Sequence, residues 1–327
     1  MKRAFVTGGS GFLGRHLIAN LLKQNIEVRA LARSPEAFGR IEAMGAHAVT
    51  GDLDDVQTLQ SAMEGCNVVF HGAAIVRDWG AASEFEGVHI RGTSNMLQAA
   101  AAAKSSRFVH VSTEAVLAGT ASLRNTDEHV PLPERPLGPY ATTKGKAETL
   151  VLSANGEGLT TVVVRPRFVW GKNDTSLLPQ IVESVRAGTF RWIDGGRYLT
   201  SATHVENVCE ALMLAAERGR GGEIYFVTDG TPVEFRAFVS DLLRTQGITP
   251  PTRSVPRWLA WSSAIVVESL WPILRAKGAP PATRMAVKML GEEVTINDAK
   301  ARAELGYTSH ITREQGLAEM FAAQPHA

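Results

Sequence analysis

Two cysteines in 327 residues, Cys66 and Cys209, stand far apart and have no ligand residues beside them, which excludes a disulfide framework and a cysteine-based zinc site. Charge of one sign is missing too. Lys and Arg total 34 against 33 Asp and Glu, a net charge of +1, so no broad field draws nucleic acid or an acidic membrane. Small-molecule chemistry is the expectation that remains. Long apolar runs are also absent. The most hydrophobic stretch, 256–275, holds Trp258, Leu259, Trp261, Ile265, Val266, Val267, Leu270, Trp271 and Ile273. Glu268 and Pro272 interrupt it, and it falls short of the roughly 20 residues a spanning helix needs. The start, Met1 to Val6, leaves no room for the apolar core of a secretory signal, so a cytosolic location is expected. His16, His71, His110 and His204 show no metal-ligand spacing, and no metal is expected.

What is present is alternation. Strand-like runs at 3–6, 26–31, 46–50, 67–70, 107–111 and 161–164 are separated by helix-like segments at 35–44, 54–63, 83–104 and 140–153, with Asp54 a candidate N-cap. This predicts an α/β chain with a doubly wound, Rossmann-type parallel sheet. The proline-containing segment between Leu117 and Pro139 reads as a surface loop. Further elements are expected at 177–187 (helix), 205–218 (helix) and 223–227 (strand), with a Gly195-Gly196 turn between the first two. Thr312 followed by Gln315 has the spacing of a capping box. The predicted division is a dinucleotide-binding domain over 1–165, completed by late strands from 200–230, and a smaller C-terminal substrate-binding lobe over 166–327.

The run Gly8-Gly9-Ser10-Gly11-Phe12-Leu13-Gly14 follows the first strand and opens the first helix. Glycines there permit a tight turn, close approach of backbone to a pyrophosphate, and close packing of helix on sheet. Tyr140 and Lys144 lie one helical turn apart, so a cation and a helix N-terminus, started by Pro139, would favour the phenolate of an acid/base tyrosine. Ser112 and Thr113 end the fifth strand, where the ligands of such sheets sit, and could orient a substrate oxygen beside Tyr140.

These segments, with Gly51-Asp52-Leu53, His71-Gly72-Ala73-Ala74, Arg165-Pro166 with Trp170-Gly171, and 299–307, resemble the extended short-chain dehydrogenases/reductases. The branch is the one of epimerases and 3β-hydroxysteroid dehydrogenases. The resemblance implies Thr113 as the catalytic hydroxyl, with Ser112 the adjacent candidate, and Tyr140 as acid/base. It implies Lys144 as the group that holds the nicotinamide ribose, Asp52 and Leu53 as adenine contacts, and Ala73 and Ala74 as the wall beside the nicotinamide. Arg165 and Pro166 are expected to face the cofactor, and a homodimer through the helices after the fourth and fifth strands is implied.

Departures from the family's patterns narrow the reaction. Dehydratases carry an acidic pair after the hydroxyl residue, whereas Ala115 follows Glu114; epimerases commonly show Val-Tyr-Gly, whereas Val116-Leu117-Ala118-Gly119 stands here. The expectation is interconversion of a ketone and a secondary alcohol on a hydrophobic substrate, sterol-like or a 3-oxoalkanoate. A sugar-nucleotide epimerase or reductase, and a cofactor-binding redox sensor without catalysis, are the alternatives. Ala32 takes the place of the ribose-binding acid at the end of the second strand. With Arg33 and Arg15 nearby, NADP(H) is expected over NAD(H), which stays open. For 256–275, a packing helix, a hydrophobic lid and a peripheral membrane contact all remain open.

Overall fold

The computed structural model describes residues 1–156, 158–274 and 278–323. Five parallel strands come first: β1 (Arg3–Thr7), β2 (Glu27–Ala32), β3 (His47–Thr50), β4 (Val68–His71) and β5 (Arg107–Val111). The short strand β6 (Leu123–Thr126) lies inside the segment expected to be loop, and pairs with Val294–Ile296 in a smaller four-stranded sheet. Strand β7 (Thr160–Pro166) then returns to the main sheet, and Glu223–Val227 adds its last strand. The order is Glu223–Val227, β7, β5, β4, β1, β2, β3, parallel throughout. Strand order reverses between β1 and β4, which places a ligand crevice beyond their C-terminal ends.

Helices cover both faces. On one face α1 (Phe12–Lys23) and α2 (Pro35–Ala43) pack with the Val205–Arg218 helix, so that Leu17, Ile18, Leu21, Val208 and Leu212 share a core with Val6, Val28 and Val164. On the other face lie α3 (Val56–Met63), α4 (Ala82–Phe85), α5 (Gly92–Ala102) and α6 (Gly138–Ser153), where Leu59, Met96 and Val151 meet Phe5, Phe108 and Val163. Sheet strands buried on both faces explain the nearly continuous apolar runs of β1, β4 and β5.

Two local expectations are corrected. Asp55, not Asp54, caps α3, because its carboxylate receives the Thr58 N–H at 3.0 Å; Asp54 turns out to pair with Arg91. The single helix expected over 83–104 is broken by a π-helical segment, Glu86–Arg91, between α4 and α5. The Thr312–Gln315 capping box is present as anticipated, opening the Arg313–Ala322 helix.

Candidate active site

The cradle is built by backbone. Gly8 has φ +73°, and a Cβ on it would stand 2.8 Å from the Gly72 carbonyl; a Cβ on Gly14 would stand 2.1 Å from the Gly8 carbonyl. No side chain larger than hydrogen fits at either place. The turn is closed by the Gly11 N–H on the Gly8 carbonyl at 3.0 Å, and Gly11 caps α1 without a side-chain bond, so the first N–H groups of the helix, at Phe12 and Leu13, stay open. An uncapped helix start over a glycine turn at the sheet's reversal point fits the pyrophosphate of a dinucleotide. Phe12 turns its ring inward, edge-on to His16.

Around this cradle, Ala32 is fully buried at the end of β2 and Arg33 beyond it is exposed. Arg15 is committed elsewhere. Its guanidinium donates to the Asn173 carbonyl at 3.1 Å and the Gly11 carbonyl at 3.3 Å, tying α1 to the loop after Gly171. Asp52 is exposed and receives the Asp54 N–H, while Leu53 lies half-buried against Gly92. Ala73 and Ala74 follow β4 half-buried, with the Ala73 N–H on the Thr7 hydroxyl at 3.1 Å.

Beyond β5 the two expected hydroxyls part company. The Ser112 hydroxyl is buried and donates to Glu148 at 2.7 Å; Arg165 pairs with the same carboxylate through Nε, at 2.8 Å, and Nη2, and lies over the Phe226 ring. Ser112 and the Arg165 side chain thus belong to the packing between β5, β7 and α6, which corrects their expected places at the substrate and the cofactor. Pro166 ends β7, also buried. Thr113 is the half-buried neighbour that reaches the site. Its hydroxyl donates to Glu114 at 2.8 Å, accepts the Ala115 N–H at 3.2 Å, and lies near the Tyr140 phenol.

Tyr140 and Lys144 both sit in the first two turns of α6, as expected, yet the electrostatics differ from expectation. Burial, and then the Glu114 carboxylate, push the Tyr140 phenol above its ordinary value, with only the neighbouring Thr113 hydroxyl opposing them. The Lys144 ammonium donates to the Val111 carbonyl at 2.6 Å and approaches His110 Nε2 at 3.2 Å, and burial lowers it to about 8, against the opposing pull of Glu148.

Four residues at this centre, Glu148, Glu114, Arg167 and His89, lay outside the sequence expectations for the site. Glu148 organises Ser112 and Arg165. Glu114 pairs with Arg167 at 2.6 Å, and Arg167 continues to Thr200 and the Met289 carbonyl. His89 stands edge-on to the Tyr140 ring at 5.7 Å, accepts the Ile75 N–H at Nε2, and so donates from Nδ1 to the Thr143 hydroxyl. The π-helical segment is what carries His89 into this position, a device common at functional sites. Burial holds His89 and His71 neutral, at about 3, and lowers His110 as well. A period-3.6 reading could not find His89, since the π turn changes the period. No cluster of ligands able to hold a metal occurs among the described residues.

The apolar segment forms the Arg257–Leu270 helix and the turn after it, and only Ala264 of the helix is buried. Trp258 is 70% and Ile273 75% exposed, with Leu259, Ile265, Val266, Leu270 and Leu274 also open, so a role within the core of this chain is ruled out. Arg275 lies outside the described residues. The helix packs on Arg284–Leu290, whose Met285 and Met289 join Val116, Leu117, Leu137 and Tyr140 in one apolar cluster. Among the described residues no helix is long and apolar enough to cross a membrane.

Comparison with known proteins agrees with this geometry. The model of the 3-beta hydroxysteroid dehydrogenase/isomerase family matches residues 5–257. A 4-hydroxy-2-methyl-3-oxo-4-farnesyl-3,4-dihydroquinoline-1-oxide ketoreductase of Stigmatella aurantiaca is 52% identical over 99% of this chain and 97% of its own. A 2-alkyl-3-oxoalkanoate reductase of Stenotrophomonas maltophilia (strain K279a) is 33% identical over 98% and 99%. Among solved structures, a dTDP-glucose 4,6-dehydratase double mutant from Streptomyces venezuelae with NAD bound superposes with a TM-score of 0.76 at 25% identity, covering 98% of this chain and 96% of its own.

Proposed function

The chain belongs to the 3-beta hydroxysteroid dehydrogenase/isomerase family, and from that membership we propose a nicotinamide-dependent reductase of a ketone in a hydrophobic substrate, able to oxidise the matching secondary alcohol in reverse. The observation that carries this reading is the meeting of the Tyr140 phenol and the Thr113 hydroxyl against an apolar wall that includes Val116, Leu137, Met285 and Met289. The glycine cradle, Ala73, Ala74 and Lys144 would hold the cofactor, which when bound supplies or accepts the hydride.

Tyr140 holds its proton through the neutral range because burial and Glu114 disfavour the phenolate. It is therefore prepared as an acid toward a carbonyl oxygen. A dehydratase needs a second acid after the hydroxyl residue, and Glu114 cannot serve. Its carboxylate is occupied by the hydrogen bond it accepts from the Thr113 hydroxyl and by its pairing with the Arg167 guanidinium. The apolar wall and the exposed apolar helix suit a chain or ring system, which gains about 25 cal/mol per Å² removed from water. Both relatives act on such compounds: one on a farnesyl-bearing ring whose oxo group, on carbon 3, adjoins a hydroxyl on carbon 4, the other on alkyl-substituted oxoalkanoates.

NADP(H) is the cofactor we favour. No carboxylate ends β2, and the exposed Arg33 is open to a 2′-phosphate. The test is consumption of NADPH with a panel of long-chain ketones and sugar nucleotides, followed by nicotinamide absorbance, on the wild type and Tyr140→Phe. Ketones should be reduced, with NADPH favoured over NADH. Tyr140→Phe should lose about 10²- to 10⁴-fold in kcat while binding NADPH as before. Turnover of sugar nucleotides alone, or a Tyr140→Phe variant at the wild-type rate, would overturn the reading.

A further inference from the structure

We infer that His110 is a positioning residue for Lys144: it takes one ammonium proton, the Val111 carbonyl takes a second, and the third is left to a ligand. This rests on the nicotinamide-dependent reading above, in which Lys144 holds the cofactor, and adds to it a residue of β5.

A lysine ammonium carries three N–H groups and accepts nothing. Lys144 is only 3% exposed, and its Nζ meets the Val111 carbonyl at 2.6 Å and His110 Nε2 at 3.2 Å, with no other hydrogen-bond partner among the described residues. The imidazole must therefore present a lone pair at Nε2, and its own proton goes to Nδ1. There the proton is bare. Nδ1 is buried and makes no hydrogen bond among the described residues. A buried N–H without an acceptor destabilises the folded chain, so the fold alone gives no reason for an imidazole at this place.

The neighbouring histidines differ. His71 has the Thr7 hydroxyl on Nδ1 at 2.8 Å and the Thr93 hydroxyl on Nε2 at 3.0 Å, and His89 joins the Ile75 N–H to the Thr143 hydroxyl. Both rings use both nitrogens in holding the structure together. In His110 one nitrogen is left idle and the other is on Lys144.

The charged and titratable groups around Nζ agree with this role. They are Glu148 from α6, shared with Ser112 and Arg165, then His71 from β4, His89 from the π-helical segment and His110 from β5. Burial keeps the three imidazoles neutral, so none of them competes with the ammonium for charge. Of the three, His110 is the one within hydrogen-bond distance of Nζ. A hydrogen bond from a cation is roughly twice as strong as a neutral one, so His110 favours the ammonium over the free amine.

The test uses the full chain without cofactor. Imidazole nitrogen NMR of the wild type near neutral pH should find the His110 proton on Nδ1 and none on Nε2. The Lys144 amine, followed by NMR of isotope-labelled lysine and assigned with Lys144→Arg, should titrate near 8 in the wild type. In His110→Leu the midpoint should fall by about one pH unit, the loss of one hydrogen bond to a charged group. His110→Gln, which returns a carbonyl acceptor, should restore it. With NADPH added, the alkaline decline of ketone reduction should move in the same direction by the same amount. A wild-type His110 protonated at Nε2, or a Lys144 midpoint unchanged or raised in His110→Leu, would overturn the inference while leaving ketone reduction standing. The tautomer is read on the wild type, which decides the matter should His110→Leu fold poorly. A wild type that reduces no ketone would instead overturn the functional reading, and the role of Lys144 toward the cofactor with it, whatever the tautomer.

Discussion

Ser112 and Thr113 are adjacent in sequence, and each hydroxyl donates to a glutamate that is paired with an arginine from β7 or the residue after it. The two groupings have the same chemistry and opposite destinations. Ser112, Glu148 and Arg165 are sealed between the sheet and α6, whereas Thr113 and Glu114 open on the Tyr140 phenol and are tied through Arg167 to the C-terminal lobe. Thr113 is fully extended, with φ −162° and ψ 152°, so the side chains of neighbours leave on opposite sides. A hydroxyl pair at a strand tip thus supplies one residue to the fold and one to the site, and residue type alone does not tell which.

The comparison can be broken most severely from the sealed side. Glu148→Ala leaves the buried Arg165 guanidinium and the Ser112 hydroxyl without their acceptor, and should cost about 3–5 kcal/mol of stability, read from denaturant unfolding of the cofactor-free protein. A loss below about 1 kcal/mol would mean that water reaches this grouping and that it is not sealed.

A smaller effect sharpens the open side through pH. Lys144, lowered to about 8 chiefly by its burial, loses its charge as pH rises through that value. Ketone reduction should decline with a midpoint near 8, and Lys144→Arg, which stays charged, should carry the decline to higher pH. The sign of the stability effect is opposite. Because the folded value lies below the ordinary 10.5, the unfolded chain binds the extra proton between about 8 and 10.5, and this group's contribution to stability rises with pH there. Activity lost over that window without loss of stability identifies Lys144; parallel loss of both contradicts it.

Much of this was legible beforehand. The alternation of apolar runs gave the parallel sheet, and the glycines at 8 and 14 stand where backbone contact forbids side chains. Tyr140 and Lys144 were readable from helical spacing. The partners were not. Glu148 meets Arg165 across 17 residues of chain and Glu114 meets Arg167 across 53, and ion pairing at that separation leaves no period in the sequence. The π segment hid His89, and β6 was hidden because its partner, Val294–Ile296, lies near the other end of the chain. Arg15 and Arg33 looked alike as phosphate ligands, yet only the structure shows that Arg15 is committed to Asn173.

The most direct measurement is kcat/KM for NADPH-dependent ketone reduction by Ser112→Ala and Thr113→Val side by side, each with its unfolding free energy. Ser112→Ala should keep kcat/KM within about threefold and lose about 1.5–3 kcal/mol of stability, whereas Thr113→Val should lose tenfold or more in kcat/KM, about 1.4 kcal/mol in transition-state terms. The reverse pattern, with turnover depending on Ser112 and indifferent to Thr113, would contradict this account of the site.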